Sequence, residues 1–162
     1  MNRRPAVIVD MDGTLCDVSA VIHLQAEPDG FTAFHHACAQ CPPHKAVVDW
    51  CVEHHSRGRE ILIVTGRDAW SHGLTVEWLV AHLPVPIGGL HMRRDEDFRS
   101  NIDVKREIHS RLVSEYDICA AIDDDPEIAG LWQEIGIPVS IVLDGGEVLP
   151  LMSRFAEPTD RT

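Results

Sequence analysis

Cationic side chains are scarce in this chain: 14 lysines and arginines stand against 26 aspartates and glutamates, a formal net charge of −12 over 162 residues. That balance excludes an extended nucleic-acid surface, whose affinity comes from clustered lysine and arginine, and it suits divalent cations. No apolar stretch approaches the roughly 20 residues that a membrane span requires. The short run after Met1-Asn2-Arg3-Arg4 meets Asp10 before it can form a signal-peptide core. The five cysteines (Cys16, Cys38, Cys41, Cys51, Cys119) are too sparse and odd in number for a secreted disulfide framework. Reduced thiols in a soluble, cytoplasmic protein are therefore expected. Internal repeats, low-complexity tracts, dividing linkers and a Gly-x-x-x-x-Gly-Lys phosphate loop are all missing. With 44% hydrophobic residues, the remaining possibility is one domain over 1–162 with a real core.

Apolar runs and helical patterns alternate along it. Val7-Ile8-Val9, Ile61-Leu62-Ile63-Val64, Leu90-His91-Met92, Ile118 to Ile122 and Val139 to Leu143 read as strands. Helices are expected over Phe31–Gln40, His44–His55, Trp70–Leu83, Ile102–Ser114 and Glu127–Ile135, punctuated by Pro42-Pro43, Gly58, Pro84 and Gly136. This order predicts an α/β fold with a doubly wound parallel sheet. Between the first two core strands the connection is too long for a simple crossover, so a small helical cap insertion is expected over about 17–57. From about 146 to 162 the pattern fades into a C-terminal tail.

Strand ends carry the chemistry. The first run ends in Asp10-Met11-Asp12-Gly13-Thr14, two carboxylates one residue apart before a turn glycine. Asp-x-Asp-Gly is also an ordinary turn signal. The fully apolar run before it points instead to a buried parallel strand, and ligands bind where such strands end. Alternation places Asp10 and Asp12 on one face. Acids so close need either a divalent metal such as Mg2+ or a division between an ionised and a protonated acid. The next strands end in Thr65-Gly66-Arg67, in the charged stretch from Arg93 to Lys105, and in Asp123-Asp124-Asp125. All of these ends share one edge of a parallel sheet. Acids, a hydroxyl and cations together suit phosphoryl transfer from a monoester: a carboxylate attacks, a metal screens the dianion, and lysine and hydroxyl hold the oxygens.

The ordered quartet resembles the haloacid dehalogenase superfamily of phosphatases over about residues 5–143. Asp10-Met11-Asp12-Gly13-Thr14 matches its first motif, Thr65 the hydroxyl of the second, Lys105 the lysine of the third, and Asp123-Asp124 the acidic fourth. The resemblance implies that Asp10 is nucleophile and metal ligand. It implies that Asp12 works as acid and base while its backbone carbonyl touches Mg2+, that Thr65 and Lys105 bind the phosphoryl group, and that Asp123 and Asp124 position the metal. Thr65-Gly66-Arg67-Asp68, Met92-Arg93 with Asp97 and Arg99, Ala121-Ile122-Asp123-Asp124, and Leu131-Trp132 with Gly136-Ile137 are similar to the 3'-phosphatase domain of phage-type polynucleotide kinase-phosphatase. That likeness adds Gly66, Arg67, Arg93 and Arg99 as substrate-binding residues. Asp125 departs from it, standing where an arginine is expected, and no kinase domain accompanies the sequence.

The expectation is thus a Mg2+-dependent phosphomonoesterase that works through an aspartyl-phosphate and removes a 3'-phosphate from nucleic-acid ends or nucleotides. The alternatives are a mononucleotide 5'-phosphatase, a small-metabolite phosphatase of the same fold, or a non-catalytic regulatory domain. His35-x-x-Cys38-x-x-Cys41-x-x-His44 has zinc-ligand types. Steps of three drift by about 60° around a helix, however, so the four cannot share a face, and they read as buried thiols with histidines on the cap surface. Cys16 reads as structural for want of a paired base. Trp50, Trp70, Trp78 and Trp132 read as packing, and Phe31 or Phe34 as a candidate to stack on a base. His54-His55 reads as favourable to a helix dipole.

Overall fold

The computed structural model describes residues 2–151. Its sheet has the order β3-β2-β1-β4-β5-β6, with β1 Arg4–Val9, β2 Glu60–Asp68, β3 Ile87–Arg93, β4 Tyr116–Asp123, β5 Val139–Val142 and β6 Val148–Leu151. The first five are mutually parallel, as the alternating pattern predicts, and β6 adds an antiparallel edge. That last strand corrects the expected featureless tail. It is a four-residue edge strand, and an edge tolerates Pro150 where a central strand would not. Residues 152–162 of the expected tail lie outside the described residues.

The period-two alternation of β1 divides the core. Val7 and Val9 pack with Phe34 and Cys38 of α1 (Gly30–Cys38), Val47 and Cys51 of α2 (Lys45–Ser56), and Trp78 and Leu79 of α3 (His72–His82). Ala6 and Ile8 face the other way, onto Val104 and Ile108 of α4 (Asn101–Leu112) and Ile128 and Trp132 of α5 (Pro126–Ile135). Helices thus cover both faces, and no helix among the described residues is long and apolar enough to cross a membrane. A 3-10 turn at Ile22–Ala26 and α1 occupy the long connection from β1 toward β2.

The strand order reverses between β1 and β4, and a sheet of this kind opens a crevice beyond the C-terminal ends at such a reversal. Register brings the two ends level: Val9 pairs with Ile122, and the Asp10 N–H donates to the Ile122 carbonyl at 3.2 Å. Asp10 therefore lies beside Asp123. On the other side, β2 and β3 slip register between Thr65 and Asp68, which leaves Gly66 and Arg67 outside regular pairing. Such an irregularity re-aims side chains at a sheet edge, and here it turns Arg67 toward the chain that leaves β1.

Candidate active site

Beyond Val9 the backbone stops being a strand. Gly13 takes a left-handed φ of 82°, its N–H donates to the Cys16 carbonyl at 2.9 Å, and the Thr14 and Cys16 N–H groups return to the Met11 carbonyl. A side chain at position 13 would collide with the Asp124 carboxylate, so glycine is required by space as well as by backbone. This turn corrects the expectation that Asp10 and Asp12 share a strand face. They point to different partners. Asp10 accepts from Lys105 Nζ at 2.8 Å, whereas Asp12 faces Arg67, whose Nε and Nη2 donate three hydrogen bonds of 2.5–3.1 Å.

Lys105 reaches this point from the first turns of α4, where the Ser100 hydroxyl caps the helix by accepting from the Asp103 N–H. Its ammonium also donates to Asp123 at 2.7 Å and is almost completely buried. Burial alone would lower its pKa, but Asp10 and Asp123 outweigh that effect and hold it above the usual lysine range. Burial lifts Asp123 to about 7, with the nearby Asp10 adding and Lys105 opposing. Asp124 rises to about 6, again through burial first and Asp10 second. The Thr14 hydroxyl lies 3.0 Å from Asp10 and 2.8 Å from Asp124, yet its single proton serves only one carboxylate at a time.

These groups assemble a cation-hungry floor. Asp10, Asp123 and Asp124 each offer an oxygen within 4.8 Å of the others, and among the described residues they form the one such cluster of three or more potential ligands. An all-carboxylate donor set fits a hard divalent ion such as Mg2+. Asp125, where an arginine was expected, instead caps α5: its side chain accepts from the Glu127 N–H at 2.8 Å, and its own N–H donates to Asp123.

Asp10, Asp12, Thr65, Gly66, Arg67, Arg93, Arg99, Lys105, Asp123 and Asp124 all line one cavity of about 680 Å³. The sequence therefore brings every expected site residue to one place, but it assigns the arginines differently from what the structure places there. Arg67, expected to grip phosphate, is 2% exposed, and besides Asp12 it donates to Thr75 Oγ1 at 3.1 Å. Burial pulls its pKa down, and the Asp12 pair overrides this. Arg93 donates to the carbonyls of Gly66, Asp97 and Arg99 and to Asn101 Oδ1. Arg99 pairs with Asp97 and Glu107. Each cation lining the cavity, Lys105 included, thus has protein partners, and eight carboxylates line it against four cations. A phosphate dianion entering alone would meet net repulsion.

Thr75, Asn101 and Phe98 are the site residues that sequence reasoning missed. Thr75 fixes Arg67, and Asn101 braces Arg93. Phe98 carried a usable signal, since it is the lone apolar residue between Arg93 and Asn101. His35 needs correction too: it is buried, lines the cavity and packs against Phe34 and Trp70 rather than lying on the surface. Burial lowers its pKa. His54 is likewise buried against Trp50 and Arg59, and burial, with the nearby Arg59, lowers its pKa, which works against the charge a helix dipole would favour. Cys16, Cys38, Cys41 and Cys51 are free buried thiols. The Cys16 thiol is pushed up by its hydrogen bonding with Cys38 and by burial, so it is no nucleophile.

Known proteins resemble this chain in sequence and in fold. The sequence model of the family described as "Polynucleotide kinase PNKP phosphatase domain" matches residues 4–146. Among solved structures, a chain of the Pnkp1/Rnl/Hen1 RNA repair complex superposes with a TM-score of 0.73 at 20% identity, covering 88% of this chain and 44% of that one. A second structure of the Pnkp1/Rnl/Hen1 complex gives 0.74 at 21%, covering 88% and 47%. The class C acid phosphatase from Bacillus anthracis gives 0.63 at 16%, covering 77% and 53%. This chain spans less than half the length of the repair-complex chains it matches.

Proposed function

This chain belongs to the polynucleotide kinase PNKP phosphatase-domain family, a haloacid dehalogenase type of phosphatase, and from that premise we propose that it is a Mg2+-dependent phosphomonoesterase working through an aspartyl-phosphate on Asp10. Its substrate is the 3'-phosphate of a nucleotide or of a nucleic-acid end. The observation that carries the reading is the position of Asp10 itself. Its carboxylate is held between Lys105 at 2.8 Å and Thr14 at 3.0 Å, on the floor of the cavity and within reach of Asp123 and Asp124.

Asp10, Asp123 and Asp124, with the Asp12 backbone carbonyl, are the residues that would hold Mg2+, which supplies charge neutralisation for the phosphoryl dianion. Lys105 keeps the Asp10 carboxylate oriented and, with Thr65, binds the non-bridging oxygens. An Asp10 oxygen attacks phosphorus while the bond from phosphorus to the ester oxygen breaks, and Asp12 delivers a proton to that departing oxygen. In the second half Asp12 takes a proton from water, the water oxygen attacks phosphorus, and Asp10 leaves as a free carboxylate. Arg67 holds the Asp12 carboxyl in position through both halves. Two of its three hydrogen bonds fall on Asp12 Oδ1 and one on Oδ2, so Oδ2 keeps a lone pair for the travelling proton.

The acid-rich wall bears on the substrate. With its cations already partnered, the cavity gives a long polyanion little to hold, which favours a chain end or a mononucleotide. Phosphate release with Mg2+ tests this on 3'- and 5'-phosphorylated oligonucleotides, 3'- and 5'-mononucleotides and sugar phosphates. Preference for 3'-phosphates is expected. Preference for 5'-mononucleotides or sugar phosphates would overturn the substrate while leaving the chemistry in place.

A further inference from the structure

The cavity has a second kind of wall above its charged floor. Phe31 of α1 and Phe98 of the loop after β3 both line it, with 61% and 94% of their surfaces exposed. A phenylalanine left in water forgoes the stabilisation that burial would bring, and a flat ring laid against this one would recover it. The loop is held. Arg93 Nη1 donates to the carbonyls on either side of Phe98, those of Asp97 at 2.8 Å and Arg99 at 2.6 Å. Its Nε donates to the Gly66 carbonyl at 3.1 Å and its Nη2 to Asn101 Oδ1 at 2.6 Å. The Arg99 guanidinium folds back onto Asp97 and Glu107, both at 2.6 Å, and Glu96 turns the chain with a left-handed φ of 62°. An arginine expected to grip phosphate is therefore a bracket that fixes the backbone around one exposed aromatic ring.

We propose that Phe98, presented by the Arg93 bracket, recognises the substrate by stacking on the nucleobase of the terminal nucleoside whose phosphate lies at Asp10. This rests on the phosphatase reading of the cavity floor. Charge selects the occupant: the cations lining the cavity are hydrogen-bonded within the protein and carboxylates outnumber them, so a neutral aromatic ring beside a single phosphate fits where a run of phosphates does not. Every base has a π-face, so this contact tolerates any base. Phe31, lining the same cavity from α1, gives the base a second apolar neighbour. Arg93 is a positioning residue in this scheme and touches the substrate only through Phe98.

Two measurements on the whole chain test it. Steady-state kinetics compare a 3'-nucleoside monophosphate with glycerol 2-phosphate, which has no base. Phe98→Ala is expected to raise KM for the nucleotide about 5- to 100-fold, the range set by loss of one base-aromatic stack, with kcat and the glycerol 2-phosphate parameters within about twofold. Phe98→Trp restores the nucleotide KM. Separately, the fluorescence of 2-aminopurine riboside 3'-phosphate, mixed with Mg2+ and protein carrying Asp10→Asn to prevent turnover, is expected to fall on binding when position 98 is Phe or Trp but not when it carries Phe98→Ala. Equal losses on both substrates, or an unchanged nucleotide KM, would overturn the proposal, as would quenching retained by Phe98→Ala. If wild type hydrolyses neither ester, the fluorescence still decides the stacking claim, so failure of the phosphatase reading stays distinguishable.

Discussion

Lys105 and Arg99 both pair with two carboxylates, but Lys105 does so on the cavity floor, 3% exposed, and Arg99 at the rim with about half its side chain in solvent. The same residue chemistry has different consequences in the two places. On the floor water cannot take over when a partner is removed, so each charge is committed to its neighbours. At the rim solvent and salt compete with every pair. The floor can therefore hold a reactive carboxylate in one geometry, and the rim shapes what reaches it.

Breaking the floor should have the largest effect. Lys105→Met leaves Asp10 and Asp123 facing each other without their cation, and removing one member of a buried charge network costs about 3–5 kcal/mol. Urea unfolding in EDTA measures that loss. Phosphate release with saturating Mg2+ should also fall by about 10²-fold or more, the order expected for removing a preorganised charge from a transition-state site. A near-wild-type midpoint in EDTA would mean that the lysine is not what holds the acids together.

The effect of metal on the floor is intermediate in size, and its sign is fixed. Burial and Asp10 raise Asp123 to about 7 and Asp124 to about 6 in the folded protein, whereas an unfolded aspartate titrates near about 3.9. Folded carboxyls that hold their protons more tightly contribute stability below about pH 4, and that contribution is lost as pH rises through about 6 and 7. Metal binding replaces those protons. Mg2+ should therefore raise Tm more at about pH 8 than at about pH 5. An equal shift at both values would disconnect the ion from these carboxylates.

The rim should respond least. Arg99→Ala removes solvent-screened surface pairs with Asp97 and Glu107, so the urea midpoint is expected to stay close to that of wild type. Turnover of glycerol 2-phosphate should stay within about twofold, since nothing at the rim touches the reacting atoms. A large loss of that turnover would move Arg99 from rim to floor and erase the contrast.

The same contrast explains what could be read from the sequence. Apolar runs marked β1, β2 and β4, and the residues that close those runs, Asp10, Thr65 and Asp123, follow directly, because parallel strands deliver their ends to one edge. Lys105 was legible only through the resemblance, as nothing in its helical neighbourhood distinguishes it from a solvated lysine. The arginines were legible as charges but not as partners: Arg93 meets Gly66 across 27 positions, and Arg67 meets Asp12 across 55. His35 could have been read correctly, since Phe31, Phe34, His35 and Cys38 fall at the spacing of one helix face. Strand β6 offered only four residues after Gly145-Gly146, with Pro150 among them.

The central claim is that phosphorus passes through a bond to Asp10, and acid quenching of a single turnover tests it directly. A 3'-nucleotide carrying labelled phosphate, mixed with excess enzyme and Mg2+ and quenched within one turnover, should leave label on the protein in a hydroxylamine-sensitive acyl linkage. The label should map to the peptide containing Asp10 and be absent from Asp10→Asn, which should also release no phosphate. Phosphate release by wild type with no label ever on the protein, or full activity of Asp10→Asn, would contradict the account.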